Sequence, residues 1–160
     1  MKTLFLFLSA VLIFISCNRN DEIEQLKAQI DSLKQNSYKP GFGSFMSNIQ
    51  VHHAKLWFAG TNENWQLAEY EAHELTENVE AIPKFRPDRK ESQLVIMLYT
   101  VLDSVKLSIQ QKNPELFKIS YASLTNTCNN CHKQVNYGFN NVKIPDTPPF
   151  TNQVFKADNK

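Results

Sequence analysis

Glycine is scarce in this chain, with four residues in 160. Phosphate-binding loops and the tight strand-to-helix turns of many hydrolases depend on closely spaced glycines. The sequence contains no such loop, no Ser/His/Asp triad and no paired-carboxylate spacing. Hydrolase chemistry therefore has no support, and we expect the protein not to be an enzyme.

An excess of one charge sign is also missing. Lys and Arg total 17 against 16 Asp and Glu, which gives a formal net charge of +1 at pH 7. Nucleic-acid binding needs clustered basic residues to contact the phosphates. Without a basic stripe, the sequence predicts no nucleic-acid partner.

The only long apolar run, residues 4–15, follows a single lysine and is too short for a stable membrane span. It ends in the stretch FISC, which resembles a bacterial lipobox, where the signal is removed before the cysteine and a lipid is attached to its sulfur. We therefore predict a signal peptide at 1–16 and a lipid on Cys17. The mature protein would be exported to the periplasm or cell envelope and tethered to a membrane, although a simple secretory signal is the alternative.

A helical stalk is predicted for residues 17–40. Ile23, Leu26, Ile30 and Leu33 are spaced three, four and three residues apart, as on the apolar face of a short coiled coil. The segment 21–36 is therefore a candidate for self-association, and a polar tether is the alternative.

Residues 41–140 show the periodicity of helices and almost no strand-like alternation, so we predict an all-α domain. Four helices joined by short turns favour an up-down-up-down four-helix bundle, followed by an extended C-terminal tail at 141–160 that Phe150 and Phe155 could pin. The first helix is predicted from near Ser44 to just before Gly60, and the second from near Thr61 or Asn62 to the break at Pro83 and Pro87. The third follows an Asp88–Glu91 capping box and ends before Asn113. The fourth starts at Asn113–Pro114 and ends at Gly138.

Near the end of the fourth helix the chain reads TCNNCHKQV, a Cys-x-x-Cys-His motif. A zinc site needs about four ligands and the motif supplies three at most, so His52 or His53 would have to complete it. A redox pair normally lies at a helix start that follows a strand. A Cys128–Cys131 disulfide would leave His132 unexplained. Covalent haem explains all three residues, since the thiols add to the porphyrin vinyl groups and the histidine binds the iron.

A helical bundle with this motif late in its last helix resembles the class II c-type cytochromes, the cytochrome c prime group. The resemblance covers roughly residues 44–138 in architecture, and Cys128, Cys131 and His132 match as a motif. The blocks HHAKLWFAG, NWQLAEYE and PPFTNQVF are also similar to exported bacterial proteins of this kind. Asn136 departs from the pattern, because such cytochromes often carry a basic residue four positions after the histidine.

The sixth ligand of the iron is predicted from the first helix, whose start would lie beside the end of the fourth. Measured from Gly138, His132 lies about 9 Å below that end at about 1.5 Å per residue. The same depth in the first helix falls near Gln50, bracketed by Met46 and His53 on one face. We expect His53 near the iron and Met46 next, with an open face as the third outcome; His52 is the least favoured candidate.

The sequence therefore predicts a monohaem cytochrome with one covalent haem c that passes single electrons between redox partner proteins still to be identified. The alternative is a haem-based binder or sensor of nitric oxide or carbon monoxide. A zinc- or disulfide-bearing structural lipoprotein is the third possibility.

Overall fold

The computed structural model describes residues 20–34, 36 and 38–157. The predicted signal peptide at 1–16 and Cys17 lie outside this range. The chain divides into two compact units, Met1–Lys39 and Pro40–Lys160.

In the first unit, residues 20–34 form helix α1. The side chains of Ile23, Leu26, Ile30 and Leu33 are between 45% and 72% exposed. The predicted helix and its apolar face are therefore both present here. Within the described part of the chain, no helix has the length and apolar character needed to cross a bilayer.

The second unit contains five helices and, among its described residues, no strand, which confirms the all-α prediction. Its helices are α2 (Phe42–Thr61), α3 (Trp65–Phe85), α4 (Lys90–Leu94), α5 (Met97–Gln110) and α6 (Pro114–Gln134).

Local capping chemistry explains where two of these helices begin. The Asn113 side chain accepts a hydrogen bond from the Leu116 N–H at 3.0 Å, and Pro114 occupies the first helical position, as predicted. Asn64 caps α3 in the same way through the Leu67 N–H. The α3 start therefore lies a few residues later than predicted.

The third predicted helix is divided into α4 and α5. Between them, Val95 and Ile96 accept i→i+3 hydrogen bonds of the tighter 3₁₀ type. The expected Asp88–Glu91 capping box is absent, because the Glu91 carboxylate binds the Arg89 side chain and α4 has no side-chain cap. A stronger charged partner thus replaces the predicted backbone partner of Glu91.

Helix α2 packs against both α3 and α6, and α5 packs against the same two helices. Contacts between Asn48 and Asn78 and between His52 and Glu71 make α2 and α3 antiparallel. The core between the helices is formed mainly by aliphatic side chains and by two aromatic ones of α6, Phe117 and Tyr121.

Gly60 does not end the first helix of this unit, as the sequence predicted, but lies inside α2. A Cβ atom added at Gly60 would overlap the ring of Phe117 on α6. Glycine is needed here because two helices approach closely, so the signal is a tertiary contact and not a cap. Pro83 was also expected to break its helix, yet α3 continues to Phe85.

Between α2 and α3 lies a fully buried carboxylate, that of Glu71. Its Oε2 is 2.7 Å from the His52 Nδ1, and its Oε1 is 3.8 Å from the Lys55 Nζ. Oε1 makes no hydrogen bond. The ion pair with Lys55 therefore partly compensates a carboxylate removed from water.

The segment after α6 packs back on the helices, as its two phenylalanines suggested. Phe155 is 7% exposed, and its ring centroid lies 5.6 Å from that of Phe58 on α2. The ring of Phe150 lies under the Lys55 ammonium at 5.2 Å. The C-terminal tail is therefore attached to α2.

Replacing Gly60 with alanine tests the close approach of α2 and α6. We expect Gly60→Ala to lower the free energy of unfolding by about 1–3 kcal/mol through overpacking against Phe117. The matched control is Gly43→Ala in the same helix, where an added Cβ meets no atom within 4 Å. That variant should be stabilised by about 0.5–1 kcal/mol through helix propensity. Urea unfolding followed by circular dichroism measures both; equal midpoints would show that the helices do not meet this closely.

Candidate haem site

A cavity of about 560 Å³ opens where the start of α2 meets the end of α6. Cofactor and ligand pockets in proteins span roughly 300–1,000 Å³. Its walls combine apolar side chains with a small set of groups that carry chemistry, namely Met46, Gln50, His53, Arg86, Arg89, Glu91, Cys128, Cys131 and His132. The two cysteines and the histidine of the motif thus meet Met46 and His53 around one space.

Cys128 and Cys131 are both free thiols on α6. Burial raises the pKa of Cys128 to about 12 and also raises the pKa of Cys131. A reactive redox pair has thiol pKa values below the usual range, so the environment here is the opposite one. Helical positions three apart place Cβ atoms about 5–6 Å apart, whereas a disulfide needs about 3.5–4.5 Å. A disulfide between these two cysteines would deform the helix.

His132 follows on the last turn of α6, and its Nδ1 lies 2.6 Å from the backbone carbonyl oxygen of Asn140. Because a carbonyl only accepts, Nδ1 carries a proton, and in the neutral ring the lone pair is then on Nε2. Histidines that bind metals commonly donate their other N–H to a carbonyl or carboxylate in this way. His132 therefore has the tautomer of an Nε2 ligand.

The chain reaches this carbonyl by reversing direction after α6. The helix ends at Gln134, Asn136 adopts a left-handed φ of 64°, and the Tyr137 N–H bonds to the His132 carbonyl at 2.8 Å. Gly138 lies beyond the turn and is not the helix stop that the sequence suggested. Asn136 supplies the turn, since asparagine tolerates the left-handed region.

His53 is buried between α2 and α6, with 3% of its surface exposed. Its Nε2 lies 3.0 Å from the Thr125 hydroxyl and its Nδ1 lies 2.9 Å from the Tyr121 hydroxyl. Burial raises the pKa of Tyr121, so this hydroxyl stays protonated. Each ring nitrogen of His53 already has a partner, and binding iron through either one would break a buried hydrogen bond.

The other two candidates for the sixth ligand, Met46 and His52, differ in whether they reach the cavity. Met46 lies on the same face of α2 as His53, is partly buried, and lines the cavity. His52 instead bonds to Glu71 on α3 and is not among the residues that line the cavity. The structure therefore brings Met46 and His53 to the motif, but not His52.

Two arginines that the sequence reasoning missed also reach the cavity, from the connection between α3 and α4. The Arg89 guanidinium binds Glu91 through two hydrogen bonds of 2.5 and 3.1 Å, and this contact lowers the pKa of the Glu91 carboxyl. Arg86 lines the same wall and lies 3.5 Å from Asp88. The sequence feature that could have predicted them is the presence of two basic residues in the short connection between the second and third predicted helices.

No group of three or more His, Cys, Asp or Glu side chains in the described part of the chain is arranged to hold a metal ion by itself.

The buried imidazole of His53 makes stability depend on pH. Burial lowers its pKa from 6.5 to about 4, so between these values the unfolded chain binds a proton that the folded chain does not. The stabilisation is complete above pH 6.5 and is lost as pH falls towards 4, by about 3 kcal/mol in total. Urea unfolding of the chain prepared without haem, at several pH values, measures this loss. His53→Gln should lack this component, and identical pH curves for the two proteins would contradict a neutral buried His53.

The chain matches no protein-family model, no curated protein and no solved structure. The chemistry of the cavity therefore follows from its own residues. They place two thiols, an imidazole whose Nδ1 is bonded to a carbonyl, a thioether and two guanidinium groups around one space.

Proposed function

We propose that this protein is a monohaem c-type cytochrome that transfers single electrons. One observation carries the proposal: Cys128, Cys131 and His132 all line a cavity large enough for a cofactor, and the His132 Nδ1 is bonded to a backbone carbonyl, which places the lone pair of the neutral ring on Nε2. Haem bound there would supply an iron centre that gains and loses one electron. The residues of the chain bind it, orient it and keep water away.

The residues of the cavity fit this group. The thiols of Cys128 and Cys131 would form the two covalent links, and protonated, buried thiols are protected from oxidation until they react. His132 would be the proximal ligand. Arg86 and Arg89 would face the carboxylates of the porphyrin edge, since guanidinium groups pair well with carboxylates.

The proposed architecture is an up-down-up-down four-helix bundle of the class II cytochrome type. It is supported by the antiparallel contacts of α2 with α3 and by the packing of α2 and α5 against the same two helices, with α4 and α5 together forming the third element. The motif lies at the end of the fourth element, as this resemblance implies.

The proposed location is the cell envelope. A signal peptide at 1–16, a lipid on Cys17 and the stalk at 17–40 would hold the haem domain near a membrane. The exposed apolar side chains of α1 support self-association through residues 21–36. Other proteins of the envelope would donate and accept the electron.

A second function, binding of a small gas such as nitric oxide or carbon monoxide, is favoured by one observation. Both nitrogens of His53 are engaged by hydroxyl groups, so His53 is poorly placed to serve as the sixth ligand. Met46 is then the distal candidate, and without it the distal position would be open to a gas.

Covalent haem is the first outcome to test. Produced in cells that attach haem c, the wild-type protein should retain one haem per chain after denaturation, seen by haem staining and by its pyridine haemochrome spectrum. The double variant Cys128→Ala/Cys131→Ala should lose it entirely, because no thioether can form. Asn130→Ala, an exposed residue between the two cysteines, should retain it. A wild type without covalent haem would sink the cytochrome proposal and leave the zinc or disulfide lipoprotein.

Two substitutions separate electron transfer from gas binding. We expect the wild-type spectrum to be six-coordinate and low-spin in both oxidation states, and Met46→Ala to become high-spin and to bind carbon monoxide. His53→Gln should keep the wild-type spectrum, because His53 is committed to Tyr121 and Thr125. If the wild type itself binds carbon monoxide rapidly, the gas-binding function is favoured instead. Loss of the low-spin spectrum in His53→Gln alone would identify His53 as the ligand.

A further inference from the structure

Asn129, the first of the two residues between the cysteines, makes an unusual pair of contacts. The Asn129 side chain donates from Nδ2 to the Val142 carbonyl at 2.8 Å and accepts at Oδ1 from the Val142 N–H, also at 2.8 Å. One amide side chain thus satisfies both backbone groups of a residue thirteen positions later. Paired bonds of this kind fix both the position and the orientation of the backbone that they hold.

The backbone held in this way belongs to the strap, which we define as residues 136–142. Its first end is fixed to α6 by the bond from the Tyr137 N–H to the His132 carbonyl, and its middle by a turn in which the Asn140 N–H bonds to the Tyr137 carbonyl at 2.9 Å. Its second end is fixed by Asn129 at Val142. The Asn140 carbonyl that accepts from His132 therefore lies between two anchors.

We propose that Asn129 is a positioning residue for His132, acting through the strap. This inference rests on the proposed function, in which His132 binds the iron. With Asn129 in place, the Asn140 carbonyl stays on the Nδ1–H, which fixes the ring orientation and makes Nε2 a more basic ligand. A more basic ligand favours the ferric state of the iron. The two bonds of Asn129 to Val142 therefore lower the reduction potential of the haem.

The remainder of the tail has its own anchors, so loss of Asn129 should act locally. Ile144 packs against the helical core, and Phe155 is buried against Phe58. Removing the Asn129 amide leaves these contacts in place. The strap would loosen while the fold persists.

The test uses the full chain with haem attached and compares Asn129→Leu with Asn130→Leu. Leucine keeps the branched shape of asparagine and removes both bonds to Val142, whereas Asn130 is the exposed neighbour of Asn129 in the same motif. We expect Asn129→Leu to shift the reduction potential to a more positive value and to accelerate amide hydrogen exchange in residues 136–142, with unchanged helix content. The control should match the wild type in both measurements.

Unchanged potential and unchanged exchange in Asn129→Leu would overturn the inference, as would faster exchange with no shift of the potential, which would make Asn129 a purely structural residue. Equal effects of the two variants would also overturn it. Failure of the proposed function looks different, because the wild-type chain would then lack covalent haem. Hydrogen exchange would in that case still decide whether Asn129 orders the strap, while the positioning of an iron ligand would fall with the haem.

Discussion

The close approach of α2 to α6 is the contact on which the cavity depends. Two features hold it: the absence of a side chain at Gly60, against which the Phe117 ring rests, and the buried bonds of His53 with Tyr121 and Thr125. Gly60 stabilises the contact by close packing, and His53 stabilises it by hydrogen bonds. Breaking these bonds would leave buried polar groups without partners, which is costly in the protein interior. Met46 and Cys128 line the same cavity because these two contacts set the distance between α2 and α6.

The hydrogen bonds of His53 also explain why a histidine is tolerated in the core. Tyr121 Oη lies 2.7 Å from the His53 carbonyl as well as 2.9 Å from its ring, and the Thr125 hydroxyl lies 3.0 Å from the Tyr121 carbonyl. The Tyr121 and Thr125 hydroxyls donate to these carbonyls, so a protonated ring nitrogen can donate to a hydroxyl oxygen, whereas a hydroxyl that donates to the unprotonated nitrogen gives up its carbonyl. The charged form could donate from both nitrogens, but it would lose its water, and this burial lowers the pKa of His53 to about 4. Burial of the ring is compatible with stability only while it is neutral.

The sequence was sufficient for those features that are encoded locally. Helical periodicity predicted the all-α class, Asn113 and Pro114 predicted the start of α6, and Cys128, Cys131 and His132 form a contiguous motif whose three side chains line one cavity. Features that depend on distant residues were missed: the role of Gly60 is set by a ring 57 positions away in the sequence. The partners of His53 lie 68 and 72 positions away, which is why the sequence predicted His53 as an iron ligand and could not identify Tyr121 and Thr125 as its hydrogen-bond partners. The strap was likewise invisible, since its turn uses Asn136 instead of glycine and its clamp joins a side chain to a backbone.

The order of residues along the chain gives the strap a consequence in time. Asn140 and Val142 follow the motif, so they are synthesised, and in an exported chain delivered across the membrane, after the cysteines and the histidine. Until they arrive, the His132 ring is free to rotate and neither tautomer is favoured by the Asn140 carbonyl. The motif is therefore most accessible before the strap folds, and the His132 ring becomes oriented only when the strap has packed back on α6.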